Sequence, residues 1–349
     1  MTNAASAEDD FSVSPPDGGF ISVKPNGTET ILKLVLVLIG TVLWILIAIS
    51  LIGLVYGALI GLMLLAAHIS LIAHLRGNSI KLGPKQLPKL YARVVSLSKR
   101  MGMTKVPDAY LLQSNGILNA FATRFGSRNF IVLYSDIVRA CGTNADALDF
   151  IIGHELGHLH RGHLKWRWLK APAHIIPFLG SAYSRACEYT CDQYGRYSCS
   201  DPQKATDSTC ILACGGSFVT GINRKAFAEQ ASDLDTVFMR LGTWLMTHPP
   251  LTYRLAAIDP SLKPKRKGSV LATVGAVLIA ALVVVAPVGA GVYFVSNTIT
   301  KVSQGLLAFK AVTKAAPDIN RRGLPPQTVV PGAGNDPDGQ GTNPFMQSK

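Results

Sequence analysis

The stretch Asp149-Phe150-Ile151-Ile152-Gly153-His154-Glu155-Leu156-Gly157-His158 decides the fold. It is an apolar, helix-compatible run. His154 and His158 stand at i and i+4, one above the other on a single helix face. That spacing lets both imidazoles bind one metal ion, and the His-Glu-x-x-His pattern suits Zn²⁺. Glu155 is turned about 100° around the helix from His154, where it reaches a water at the metal rather than the metal. The bare pattern also fits a helix that carries two surface histidines and a glutamate. The flanking sequence separates the two readings.

Upstream, Thr143 or Asn144 caps the helix, and Asp136 begins a shorter one before it. Residues 109–113, 118–123 and 129–134 are short β-rich runs. Ser114-Asn115-Gly116 and Phe125-Gly126-Ser127-Arg128 separate them, which predicts a small antiparallel sheet. Earlier still, Leu87, Leu90, Val94, Leu97 and Met101 fall at helical spacing in a basic stretch, a helix with an apolar stripe and a charged outside.

Downstream of His158, the third and sixth positions are Arg161 and Leu164, so a third histidine at the metzincin spacing is absent. His160 and His163 are expected at the surface or the membrane interface. Glu188 and Asp192 lie four apart and share one face of a second helix. A carboxylate from a later helix completes a site of two histidines and one glutamate, leaving a fourth position for water. Asp192, one turn on, can accept the free N–H of a ligand histidine. Without the His-Glu-x-x-His stretch, the two acids read as an ordinary surface pair.

The chain has 349 residues and a net charge of +13; 48% of its residues are hydrophobic and only 16% charged. Soluble domains carry about 25% charged residues, and the mean hydropathy here is +0.27. The deficit points to membrane segments. Residues 31–75 are almost uncharged after Lys33, twice the roughly 20 residues that one spanning helix needs. They predict a two-helix hairpin that turns near Ser50 to Gly53. His68 and His74 fall in its second helix; His74, beside Arg76, reads as interfacial, and His68 is left open for a function. Residues 270–295 form a third span, kinked at Pro287. Residues 164–179 hold Trp166, Trp168, Pro172 and Pro177 among basic residues, too short and interrupted to cross, and read as a membrane-surface segment.

The expected plan is a disordered tail at 1–30, the hairpin at 31–75, a catalytic domain at 76–262, the third span at 270–295 and a basic, then low-complexity tail at 296–349. Among the six cysteines, Cys187/Cys191 and Cys210/Cys214 stand at i,i+4 and none forms a C-x-x-C pair. Buried free thiols in a reducing compartment are favoured over a second metal site or a disulfide. The basic charge lacks a nucleic-acid motif or interleaved aromatics, so it is assigned to anionic lipid rather than nucleic acid. Most of the Lys and Arg fall between the second and third spans, which places that region on the cytoplasmic side. The C-terminal tail then lies across the membrane, against which Lys301, Lys310 and Lys314 argue.

Four motifs now stand in order: Leu118-Asn119-Ala120-Phe121-Ala122, His154 to His158, Glu188-x-x-x-Asp192, and His248-Pro249-Pro250 with Arg254 six residues after the histidine. With them, the chain from about Pro84 to Pro260 resembles the HtpX and CAAX-prenyl-protease family of integral-membrane zinc metallopeptidases, which are gluzincins. The resemblance implies a zincin-like catalytic domain; with the strand and hydropathy patterns above, the expected fold is mainly α with a small antiparallel β-sheet, beside about three transmembrane helices. The resemblance also implies one Zn²⁺ per chain held by His154, His158 and Glu188, with Glu155 as general base. Asn119, Ala120 and Phe121 would form an edge strand that pairs with substrate backbone, and His248 and Arg254 would stabilise or support the transition state. The chain departs from the family in topology. Glu188 comes only 30 positions after His158, where HtpX has two more spans, and the prenyl-protease branch forms a seven-span chamber.

The function expected is therefore a membrane-bound zinc endopeptidase acting on extended, misfolded or membrane-associated polypeptides, in the plasma membrane of a bacterium and facing the cytoplasm. Processing of one lipidated or membrane-anchored substrate, and a catalytically silent membrane scaffold, are the alternatives. The expected partners are polypeptide substrates and the lipid bilayer.

Overall fold

The computed structural model describes residues 19–201, 204–264 and 268–315. The chain divides into two compact units, the first ending at Pro287. Residues 1–18 and 316–349, which include most of the two expected tails, lie outside the described residues.

The first unit opens with two long helices, α1 (Gly27–Ile49) and α2 (Leu51–Asn78). They break at Ser50, whose extended backbone cannot continue a helix and whose Oγ caps α2 by accepting from Gly53 N at 3.1 Å. Gly27 to Thr30, expected in the disordered tail, are instead the first turn of α1. Asn26 caps that turn through Oδ1. The preceding residues also pack: Ile21 is buried, and its N–H donates to the Arg100 carbonyl at 2.7 Å.

A four-stranded sheet follows: β1 (Ile80–Lys81), β2 (Asp108–Leu112), β3 (Ala120–Phe125) and β4 (Arg128–Tyr134), in the order β1-β2-β4-β3. The helix-rich fold with a small sheet is as expected. The sheet itself is mixed rather than antiparallel, because β2 and β4 pair in parallel. Two reversals, before and after β3, return β4 to the direction of β2, and β4 then inserts between β2 and β3. Its side chains from Phe130 to Leu133 are buried on both faces, as suits an inner strand. Phe130 and Val132 meet Ile72 and Leu75 from the end of α2. Ile131 and Leu133 face the main core.

That core is closed by α3 (Pro88–Arg100), whose Leu90, Val94 and Leu97 form the expected buried stripe. Beyond it lie α4 (Ser135–Cys141), α5 (Ala145–His160), a short α6 (Arg167–Lys170) running into a 3₁₀ turn at Ala171–Ile175, and α7 (Leu179–Ser198). Helices α8 (Ala205–Cys214), α9 (Arg224–Glu229), α10 (Val237–Leu245) and α11 (Leu251–Ile258) complete the body.

Helix α12 (Val270–Ala315) includes Pro287. Residues 296–315, expected to be tail, are helical there. Three helices among the described residues are long and apolar enough to cross a membrane: Gly27–Ile49, Leu51–Asn78 and Val270–Ala311.

Candidate metal centre

Helix α5 is the axis of the site. Asn144 caps it, Oδ1 accepting from Ala147 N at 3.0 Å. Almost every side chain along it is buried, so it is an interior helix rather than an amphipathic surface one. Helix α7 crosses it at glycine. A Cβ on Gly153 would stand 2.0 Å from Ser198 Oγ, and one on Gly195 would stand 2.8 Å from the Phe150 carbonyl. Absence of these side chains lets the two backbones approach closely enough for Glu188 of α7 to reach both histidines of α5.

The three expected ligands come together. His154 Nε2 lies 3.3 Å from His158 Nε2 and 3.4 Å from Glu188 Oε2, and His158 Nε2 lies 3.2 Å from Glu188 Oε1. A tetrahedral ion with bonds of about 2.0–2.1 Å needs ligand atoms about 3.3 Å apart. The donor set of two imidazoles and one carboxylate fits zinc in both chemistry and spacing. Burial lowers the His154 pKa, but the Asp192 and Glu188 carboxylates outweigh it and push the imidazole up to about 10. Burial raises Glu188, yet the two histidines hold it well below the usual carboxylate range.

Asp192 Oδ1 accepts from His154 Nδ1 at 3.0 Å. Arg254, from α11, donates to the same carboxylate through Nε at 2.9 Å and Nη2 at 2.6 Å. It also stands 3.7 Å from Glu188 Oε2. Buried at 7% exposure, Arg254 is held behind the ligands although it also lines the cavity. His248 is open to solvent, its Nε2 3.6 Å from Glu188 Oε1.

The cavity has a volume of about 250 Å³, and its wall includes Glu155, His248 and the expected substrate strand, Asn119, Ala120 and Phe121. Ala120 and Phe121 begin β3, an edge of the sheet, and Asn119 immediately precedes it. The Asn119 carbonyl accepts from Tyr134 N at 3.2 Å. Alternation along the strand then turns the backbone groups of Ala120 and Ala122 to the free edge.

Two residues at the site were not foreseen. His163, expected at the surface, is buried at 8% exposure. Its Nδ1 lies 3.1 Å from His158 Nδ1. Glu29, expected in the tail, is buried against His163, Arg161 and Thr190. The signal that marks it is a lone acid in the first turn of an otherwise apolar helix. His160 is exposed, as expected. His68 Nε2 lies 3.0 Å from the Arg124 carbonyl, not among the candidate ligands. All six cysteines are free, and five of them are buried.

A family model described as peptidase family M48 matches residues 84–170 and 167–261, together a little over half of the chain. The chain belongs to peptidase family M48. No curated protein and no solved structure matches it. The matched region of this M48 peptidase holds His154, Glu155, His158, Glu188, Asp192, His248 and Arg254, as well as β3. Glu29 lies outside it.

Proposed function

We propose that this M48 peptidase is a membrane-bound zinc endopeptidase for extended polypeptides. The observation that carries the proposal is the mutual spacing of 3.2–3.4 Å among His154 Nε2, His158 Nε2 and the Glu188 oxygens, with Glu155 on the wall of the same cavity. His154, His158 and Glu188 hold one Zn²⁺, which when bound supplies a Lewis acid that eases deprotonation of a water.

Glu155 takes the proton from the attacking water and passes it to the leaving amine. His248, exposed at the mouth of the cavity, donates to the carbonyl oxygen as it gains charge. Arg254 has its guanidinium engaged by Asp192, so its part is to hold that carboxylate against His154. The substrate lies along the free edge of β3 and pairs with the backbone of Ala120 and Ala122. Pairing through backbone demands an extended chain and reads little side-chain sequence, which suits unfolded or misfolded polypeptides.

The membrane is that of a bacterial cell, with the catalytic unit on the basic, cytoplasmic side. A second reading, processing of one lipidated or membrane-anchored substrate, is favoured by the packing of α1 on the segment beside the site: Trp44 Nε1 donates to the Trp168 carbonyl at 2.9 Å. The intact ligand set speaks against a silent scaffold.

Glu155→Gln tests the mechanism. Zinc content is expected to survive while cleavage of casein falls by a factor of about 10²–10⁴. Full activity in this variant would remove Glu155 from its role. The same variant, used to trap bound polypeptides, separates a broad set of substrates from a single one.

A further inference from the structure

Glu29 is the only acid in α1 and is 1% exposed. Its carboxylate accepts from Thr190 Oγ1 at 2.6 Å, from Arg161 Nη2 at 3.3 Å and from His163 Nε2 at 3.1 Å. On its other side, His163 presents Nδ1 to His158 Nδ1 at 3.1 Å. A continuous path of polar contacts therefore runs from the first turn of an apolar, membrane-length helix to a metal ligand.

The chemistry of imidazole sets the direction of that path. A histidine that ligates through Nε2 keeps its proton on Nδ1, and that N–H needs an acceptor to fix the ring. For His154 the acceptor is Asp192. For His158 it is the Nδ1 of His163, which can accept only when the His163 proton sits on Nε2. Glu29 accepts from that Nε2–H and so selects the tautomer. Cys191 Sγ also approaches His163 Nδ1, but at 3.6 Å and as a weak donor.

We propose that Glu29 is a positioning residue for the metal ligand His158, acting through His163, so that helix α1 is part of the metal centre as well as an anchor. The inference rests on the zinc reading above.

A second metal ion is the competing use of these side chains, since Glu29, His163 and Cys187 stand close enough to hold one. The surroundings oppose it. The Arg161 guanidinium lies on the same Glu29 oxygen that meets His163, and Lys170 Nζ is 3.4 Å from the His163 carbonyl. Two cationic side chains already crowd the place where another cation would sit.

The experiment uses the full chain in detergent micelles. Zinc stoichiometry and Kd are measured by competition with a chelator, and the visible spectrum of the cobalt-substituted protein reports ligand geometry. Glu29→Leu and His163→Phe are each expected to weaken zinc binding by about ten- to a hundred-fold and to alter the cobalt spectrum. The double variant is expected to be no weaker than His163→Phe alone, because both act through one path. Glu29→Gln keeps an acceptor oxygen and is expected to restore most of the affinity. Thr190→Val removes a Glu29 partner that does not lead to the metal and is expected to leave zinc binding close to wild type.

Wild-type zinc affinity in Glu29→Leu overturns the proposal. So do additive losses in the double variant, or a loss in Thr190→Val as large as that in Glu29→Leu, since either means that Glu29 only packs α1. Two zinc ions per wild-type chain, one of them lost in Glu29→Leu, overturn it in favour of a second site. A wild-type chain that binds no zinc removes the zinc reading and this inference together. A chain that binds zinc but cleaves no peptide removes only the peptidase mechanism, and the zinc measurements still decide the role of Glu29.

Discussion

Arg254 and Asp192, 62 positions apart, meet through two hydrogen bonds: Nε to Oδ2 at 2.9 Å and Nη2 to Oδ1 at 2.6 Å. The same Asp192 carboxylate accepts from His154, so α11 is tied to the candidate ligands through α7. Asp192 is wholly buried. Burial opposes its charge, and Arg254 together with His154 holds its pKa below the usual carboxylate value. Arg254→Met is expected to leave that charge undercompensated, lowering stability by about 3–5 kcal/mol and zinc affinity by about ten- to a hundred-fold. Denaturant titration and chelator competition measure the two effects. An unchanged zinc affinity would confine Arg254 to packing.

A second buried pair predicts a pH effect. Arg93 Nη1 stands 2.8 Å from Asp149 Oδ2, and both side chains are 1% exposed. Burial pushes the Asp149 carboxyl from 3.8 up to about 6, although Arg93 pulls it down. Between these values the folded chain holds a proton that the unfolded chain has released. Stability conferred by the protonated form is complete below the unfolded pKa and is lost as pH rises through the folded one. Relative to Asp149→Asn, the wild type is expected to lose on the order of 2–3 kcal/mol across that window. Denaturant midpoints of the two proteins from pH 4 to pH 7 measure this, and a constant difference between them contradicts it.

The crossing of α5 and α7 leaves no room for a methyl group at Gly153. Gly153→Ala places a Cβ against Ser198, whose Oγ stands 2.0 Å from the ideal Cβ position and whose Cβ stands 2.6 Å from it. It is expected to cost about 1–3 kcal/mol and to weaken zinc binding by moving Glu188 away from the histidines. Ser198→Gly in the same chain removes the obstruction and is expected to recover most of both losses. Failure of the second change to rescue the first would place the strain elsewhere.

Ala122 presents its backbone to the free edge of β3, beside the candidate ligands. Ala122→Pro removes one N–H from that edge while leaving the bonds to β4 in place. The expected result is a loss in kcat/KM of roughly fivefold to tenfold, the value of about one backbone hydrogen bond, with zinc content unchanged. An unchanged kcat/KM would move the substrate off this edge.

Much of the candidate centre was legible because its signals are local. Turn spacing of the helix stacks His154 over His158 and Glu188 over Asp192, whatever surrounds them. The stripe on α3, the break at Ser50 and the cap at Asn144 depend on neighbouring residues in the same way. The sheet was harder. Alternation marks a strand without saying which strands pair, so the parallel pairing of β2 with β4 was not visible. His163 was misplaced because its sequence neighbours, His160 and Arg161, are polar, and its burial comes from helices distant in the chain.

The His-Glu-x-x-His helix, the later carboxylate pair and the apolar helices were determined by the sequence alone, since periodicity and hydropathy act over a few turns. Only the tertiary structure decided that Glu188 reaches both histidines across a glycine crossing and that Arg254 holds Asp192. It also decided the place of Glu29. A carboxylate at the start of an apolar helix reads as an end cap or a tail residue until the fold buries it. Once buried, a charge must find partners, and the partners within reach are His163, Thr190 and Arg161, more than a hundred residues away.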